Sequence, residues 1–168
     1  MEFKAWPKIP RLTNEIFHIT EKIDGTNACI VISELNVLFT QSRKQFITPA
    51  KDNYGFAKWA YENQETLIKD LGPGYHFGEW WGSGIQRGYE LTEKRFSLFN
   101  PTKQSSICHN IPILVSCNSP SLEFEIAMLK KTMIANGSYV APGFKKPEGL
   151  IIYGEQSKCY WKVLFDED

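Results

Sequence analysis

Residues 20–27 read Thr20-Glu21-Lys22-Ile23-Asp24-Gly25-Thr26-Asn27, TEKIDGTN, and the apolar run ACIVI (28–32) follows at once. Asp24-Gly25 is a turn-forming pair. Beyond it, 27–33 (NACIVIS) and 36–42 (NVLFTQS) are β-rich segments separated by Glu34-Leu35, with Asn36 near the turn, which predicts a hairpin. TEKIDGTN is then the loop feeding the hairpin's first strand. Lys22 has two readings here, a solvated lysine beside a turn or a nucleophile held in a pocket. Taken alone, the stretch favours the solvated turn.

Outward from the hairpin, Phe56, Trp59, Ala60, Leu67 and Leu71 recur at mainly helical spacing between Asn53 and Leu71, and Gly72-Pro73-Gly74 ends the segment. Three strand candidates follow, GYHFGEWWG (74–82), RFSLFN (95–100) and IPILVS (111–116), each bounded by turn-formers. A second helix is expected from Ser119 or Ser121 as its cap to Asn136-Gly137 as its stop, burying Leu122, Ile126, Leu129, Met133 and Phe124. GLIIYG (149–154) and KCYWKVLF (158–165) close the chain as an antiparallel pair around Glu155-Gln156-Ser157. The fold class is α+β, with mostly antiparallel sheets and flanking helices.

At 168 residues the chain suits one domain spanning 1–168. With 42% hydrophobic and 23% charged residues it is a folded globular chain rather than a disordered or fibrous one. Nineteen basic residues balance nineteen acidic ones, so net charge demands neither a nucleic acid nor a membrane, although Lys and Arg gather around 43–51 and 145–162. Cys29, Cys108, Cys117 and Cys159 form no CxxC, which suggests a reduced, intracellular protein. Cys108-His109 with Cys117 lacks a fourth zinc ligand at suitable spacing. The start, MEFKAWPKIPRL, has no apolar signal region and no run reaches transmembrane length, so the expectation is a cytoplasmic protein with no membrane partner.

Three further charges sit oddly. Glu79 lies inside the aromatic strand HFGEWWG, Glu148 immediately precedes GLIIYG, and Lys162 lies inside CYWKVLF. Strand alternation lets Glu79 and Lys162 face water, whereas an unpaired buried charge costs several kcal/mol or neutralises. Together with Lys22 they make a constellation of lysines and carboxylates suited to phosphate chemistry with a divalent metal. Lys22 would attack, carboxylates would hold Mg²⁺, and Lys162 would clamp phosphate. The demand on a nucleophilic lysine is severe: at an ordinary pKa near 10.4, fewer than about one in a thousand is neutral at pH 7. Neighbouring positive charge and desolvation both lower that pKa.

These residues resemble the covalent nucleotidyltransferases, the ATP-dependent RNA and DNA ligases and the mRNA-capping guanylyltransferases. Lys22-Ile23-Asp24-Gly25 is similar to their first motif, KxDG, whose lysine forms a phosphoramidate with the nucleotide α-phosphate. Ser42-Arg43 falls where the family carries a phosphate-contacting arginine. Phe77-Gly78-Glu79-Trp80 resembles the motif whose Glu contacts the ribose. Phe96-Ser97-Leu98-Phe99-Asn100 resembles the segment whose aromatic stacks on the base, with Phe99 chosen over Phe96. Pro147-Glu148-Gly149 matches the motif whose Glu engages the metal through water, and Trp161-Lys162-Val163 lies where the phosphate-binding lysine belongs. Glu21-Lys22-Ile23 followed by Gly25-Thr26-Asn27 is closest to the RNA ligases that seal nicks in duplex RNA.

The resemblance implies a ligase/capping-type (ATP-grasp-like) nucleotidyltransferase domain. Its nucleophile is Lys22; Glu21, Ile23, Asn27, Arg43, Glu79, Phe99, Glu148 and Lys162 surround the nucleotide, and Glu148 and Asp24 hold a metal through water. It implies ATP and Mg²⁺, or Mn²⁺, and an RNA with 5′-phosphate and 3′-OH ends, whose backbone Arg43, Lys44, Lys51, Lys145 and Lys146 could also contact. The family's last motif usually has two lysines one residue apart; Tyr160 and Leu164 stand at that distance from Lys162, so one phosphate contact is missing or comes from Lys158. The expectation is a domain with no OB or small helical unit after Leu164, in which lysine adenylylation is better supported than complete strand sealing and a partner protein could supply the end-binding domain. The alternatives are a DNA ligase, a GTP-dependent capping-type enzyme, or a nucleotide- or RNA-binding subunit.

Overall fold

The computed structural model describes residues 15–166 together with Ala5, Ile9 and Arg11; most of the stretch 1–12, read above for a targeting segment, lies outside them. Its first element corrects the sequence reading. Thr20, Glu21 and Lys22 are not loop but the end of a strand, β1 (Ile16–Lys22). Only Ile23, Asp24 and Gly25 turn, and Thr26 already opens β2 (Thr26–Ile32). In β1 the inward positions are Phe17, Ile19 and Glu21, so a fully buried carboxylate ends what would otherwise be an apolar alternation.

That three-residue turn joins two sheets. β1 lies in a four-stranded sheet with β8 (Ile113–Asn118), β9 (Gly149–Gly154) and β10 (Tyr160–Leu164), in the order β10-β9-β1-β8 and antiparallel throughout. β2 lies in a six-stranded sheet with β3 (Leu38–Ser42), β4 (Phe46–Ile47), β5 (Gly74–Gly82), β6 (Lys94–Leu98) and β7 (His109–Asn110). Its order is β4-β3-β2-β5-β6-β7, and only β6 and β7 run parallel. The β2–β3 hairpin and the β9–β10 pair stand where expected. β8 begins two residues later than expected, and the short β7 was not foreseen.

The helix expected over 53–71 is two helices, α1 (Phe56–Glu62) and α2 (Gln64–Leu71). The break is Asn63, whose backbone leaves the helical region (φ −112°, ψ 16°) while its side-chain amide donates to the Trp59 carbonyl. Such local bonding competes with helix continuation. Both helices cover one face of the six-stranded sheet, where Phe56, Ala60, Leu67 and Leu71 pack on Ala28, Ile30, Trp80, Phe96 and Leu98.

On the other sheet, α3 (Leu122–Asn136) packs Leu129 and Met133 against Phe17, Ile19, Leu150 and Ile152, with Leu122 and Ile126 alongside. Phe124, expected in that buried face, is 65% exposed because it falls off the Leu122–Ile126–Leu129–Met133 stripe. Ser121, at the N-terminus of α3, does not cap the helix with its side chain; its Oγ donates instead to Asn118 Oδ1. Gly137 stops the helix as expected, at φ 95° and with its N–H bonded to the Met133 carbonyl. A third apolar cluster, Ile23, Trp81, Tyr89, Ile111, Ala141 and Phe144, fills the junction beneath the Ile23-Asp24-Gly25 turn.

Candidate active site

Register alone brings the first pair together. Lys22, the last residue of β1, pairs with Gly149, the first of β9, so Glu148 stands beside it. Lys22 Nζ donates to Glu148 Oε2 at 2.6 Å, and both side chains are largely shielded, 23% and 16% exposed. Register on the second sheet supplies the facing wall, because Asn27 of β2 lies directly opposite Glu79 of β5. Asn27 Nδ2 donates to Glu79 Oε2 at 2.9 Å.

Glu79 is buried, and burial pushes its carboxyl up to about 7. The Asn27 amide and the Lys22 ammonium pull the other way, Glu148 adds to the upward push, and the Gly25 N–H again favours the ionised form. Residues from both sheets thus act on one carboxyl, Asn27 by its hydrogen bond and Lys22 and Glu148 by their charge. Glu79 does not face open water, the bland alternative that alternation allowed.

Asp24 is placed differently from the expectation of a metal contact. Its Oδ2 accepts from Arg87 Nε at 2.9 Å, and its N–H donates to the Tyr89 hydroxyl at 2.8 Å. Arg87 also donates to the Lys146 carbonyl at 3.0 Å and to Asp166. The loop carrying them is strained: Gln86, Tyr89 and Glu90 take left-handed backbone at φ 46°, 53° and 56°, costly for non-glycine residues and most so for a bulky one. Arg87 and Tyr89 escaped the sequence reading, having no motif of their own and partners far away in the chain.

The other expected residues divide. Arg43 is exposed in the β3–β4 turn, one residue beyond Ser42, which pairs with Ala28 and so sits at the Asn27 end of the sheet. Phe99 is 48% exposed just past β6, with its N–H on the Phe77 carbonyl, whereas Phe96 is wholly buried against Phe56 and Trp59 and has no face free for a base. Lys162 pairs with Ile151, itself paired with Thr20 of β1, and is exposed on the strand row that carries Lys22.

Glu21 and Ile23 point their side chains away. Glu21 Oε2 accepts the N–H groups of Tyr139 and Val140 at 2.7 and 3.1 Å, and burial raises its carboxyl above the ordinary range against the pull of the Ser138 hydroxyl and those two amides. Ile23 packs in the junction cluster. Only their backbones are open to a nucleotide. Lys158, the substitute second lysine, donates its N–H to the Gly154 carbonyl, and Gly154 pairs with Phe17 at the far end of the sheet from Lys22. It is no part of this site.

No group of three or more His, Cys, Asp or Glu among the described residues forms a ready metal cage. The chemistry of the donors nevertheless fits Mg²⁺ or Mn²⁺. Glu148 and Glu79 repel each other electrostatically beside a single lysine, and hard cations of this kind bind through one or two carboxylates together with water and substrate phosphates.

Two mostly antiparallel sheets thus meet along a lysine–carboxylate floor. The chain belongs to the RNA ligase family, which its residues 15–157 match. Among solved structures it is similar to the RNA ligase of Naegleria gruberi: an apo mutant (20% identity, TM-score 0.64, covering 91% of this chain and 50% of that one), a mutant with ATP and Mn (18%, 0.65, 90% and 50%) and a mutant with AMP and Mn (20%, 0.63, 91% and 50%). At these identities the likeness is one of fold. The chain spans about half the length of those ligases, and no curated protein matches it in sequence. No helix among the described residues is long and apolar enough to cross a membrane.

Proposed function

We propose that this chain is the adenylylating domain of an ATP-dependent RNA ligase acting in the cytoplasm. The observation that carries the reading is the Lys22–Glu148 pair at 2.6 Å, facing Glu79 and Asn27 across the meeting line of two sheets. Lys22 Nζ loses a proton, for which Glu148 Oε2 is the acceptor in reach, and attacks the α-phosphorus of ATP. The new P–N bond forms as the bond to pyrophosphate breaks. AMP then passes to the 5′-phosphate of an RNA end, releasing Lys22, and a 3′-OH displaces AMP to join the strands.

Each displacement depends on alignment and charge neutralisation. Arg43 and Lys162 steady phosphates, Asn27 and Glu79 hold the ribose, and Phe99 offers its exposed ring to the base. Glu148 and Glu79 would hold Mg²⁺ or Mn²⁺, which when bound offsets negative charge on the phosphates. Asp24 reaches that shell only with the oxygen that Arg87 leaves free. The Naegleria structures with ATP and Mn and with AMP and Mn support ATP as the nucleotide, and family membership supports RNA over DNA or a cap acceptor. A further domain or a partner protein would add to the grip on strand ends.

Incubation with ATP and Mg²⁺ should add the mass of one AMP, mapped to Lys22, and GTP should not replace ATP. Protein that never gains AMP, or a Lys22→Ala variant that still does, ends this reading.

A further inference from the structure

We propose that the face of the six-stranded sheet carrying Glu79 continues beyond the nucleotide site as a stacking platform for unpaired RNA bases. The choice of RNA as occupant rests on the ligase reading above. Strand alternation defines the face. Ala28, Ile30 and Trp80 point to the helices, so Asn27, Cys29 and Val31 of β2 and Tyr75, Phe77 and Glu79 of β5 point the other way. Register sets Cys29 against Phe77 and Val31 against Tyr75. On β3, Leu38 and Thr40 are buried and Phe39 is exposed; Phe46 of β4 touches it, with ring centroids 6.4 Å apart.

Phe39, Phe46, Tyr75, Phe77 and Phe99 are 44%, 61%, 63%, 52% and 48% exposed. Single exposed aromatics are ordinary, but a contiguous group on one sheet face marks an interaction surface. The Tyr75 and Phe77 rings stand nearly parallel, 15° apart in plane and 6.1 Å between centroids. Arg43 and Lys44 are exposed on the rim, in the turn between Phe39's strand and Phe46, while the acidic Glu34 lies at the opposite, β2–β3 end. Aromatic rings on a sheet with cations along one side form the composition that binds single-stranded nucleic acid, the rings taking base faces and the cations the backbone. A duplex hides its base faces in its own stack, so the platform selects unpaired ends.

The test uses the whole chain and a labelled, unstructured oligoribonucleotide, with a duplex RNA beside it, read by fluorescence anisotropy at low salt. Tyr75→Val, Phe46→Val and Phe39→Val remove a ring while keeping a strand-forming residue. Each should weaken single-strand binding by about tenfold, the scale of a lost base–aromatic stack, whereas Tyr75→Phe should bind as wild type does. Duplex binding should be weaker and unmoved by all four. Unchanged single-strand affinity in the three Val variants, each melting as wild type, overturns the platform, as does wild type that binds no single strand. A wild-type dimer made monomeric by the same substitutions also overturns it, since the face is then a protein interface. AMP labelling of Lys22 is followed in parallel. Labelling without single-strand binding removes the platform alone, and binding lost in the Val variants without any labelling removes the ligase reading alone.

Discussion

Arg87 Nε lies 2.9 Å from Asp24 Oδ2, and this pair ties the turn that follows Lys22 to two other segments of the site. The same guanidinium bonds the carbonyl of Lys146, two residues before Glu148, and the carboxylate of Asp166, two residues after the strand that carries Lys162. A planar group with five donors can hold three acceptors at fixed angles, and a lysine cannot. Arg87 therefore ties together the segments next to three of the motifs.

Arg87→Lys should keep one bond and lose the others. Hydrogen bonds to charged groups are worth about 1.5–3 kcal/mol each when well shielded. Arg87 is about a quarter exposed and Asp166 largely so, which leaves the Asp166 bond worth little, and urea denaturation should show a loss of about 1–2 kcal/mol. AMP transfer to Lys22 should slow by more than the folded fraction accounts for. Wild-type labelling rates in a folded Arg87→Lys protein would show that the tie is structural only.

Glu148→Gln tests the proton-accepting role. The amide can still accept a bond from Lys22 but is a far poorer base, and general-base groups contribute about 10²–10⁴ in rate. Single-turnover labelling should fall by about a hundredfold or more, with ATP affinity changed much less. Equal losses in both would instead mark Glu148 as a binding group.

Glu79 sets a pH dependence whose sign follows from its carboxyl standing near 7 in the fold against an ordinary 4.5. Between about pH 4.5 and 7 the folded chain keeps a proton that the unfolded chain has lost, so stability is greatest at the acid end and falls as pH rises through that window. The raised Glu21 carboxyl acts in the same direction. Glu79→Gln retains an acceptor for Asn27 and removes the buried charge. It should be more stable than wild type at pH 8, by up to about 3 kcal/mol at roughly 1.4 kcal/mol per pKa unit, and equal to it near pH 4.5, while losing nucleotide affinity. Urea midpoints at the two pH values measure this, and a variant no more stable at pH 8 contradicts it.

What the sequence showed and what it hid have physical causes. The strands bearing Glu79 and Lys162, and the one that Glu148 precedes, were legible because bulky apolar residues fill each run and turn-formers bound it. β1 was hidden by Glu21, a carboxylate in an inward position whose compensating Tyr139 and Val140 amides lie 118 and 119 residues away. The Asn63 break was hidden because apolar spacing continues across it. Arg87 was hidden because its meaning resides in Asp24, 63 residues off. Pairing of strands brought Lys22 to Glu148, and pairing is a property that local pattern does not carry.

Gly25 looked from its sequence like the flexible corner of an Asp-Gly turn, but its neighbours give a different reason for glycine. A Cβ there would stand 2.6 Å from the Trp80 carbonyl oxygen, 2.8 Å from Trp81 Cβ and 2.9 Å from Glu79 Cγ. Two of these are atoms that cannot swing aside, so the turn would have to lift away from β5. Gly84 is the useful contrast: at φ 72° it is conformationally demanding, yet nothing lies within 4 Å of its Cβ position. Gly25→Ala should cost about 1–3 kcal/mol by overpacking. It should also withdraw the Gly25 N–H from Glu79 and move Lys22 relative to that carboxylate, so AMP labelling should fall at least tenfold at a temperature where the variant remains folded. Gly84→Ala should cost about 1 kcal/mol through backbone strain and leave labelling intact. If the two variants lose labelling equally, close approach of the turn to β5 is not what the site requires of Gly25.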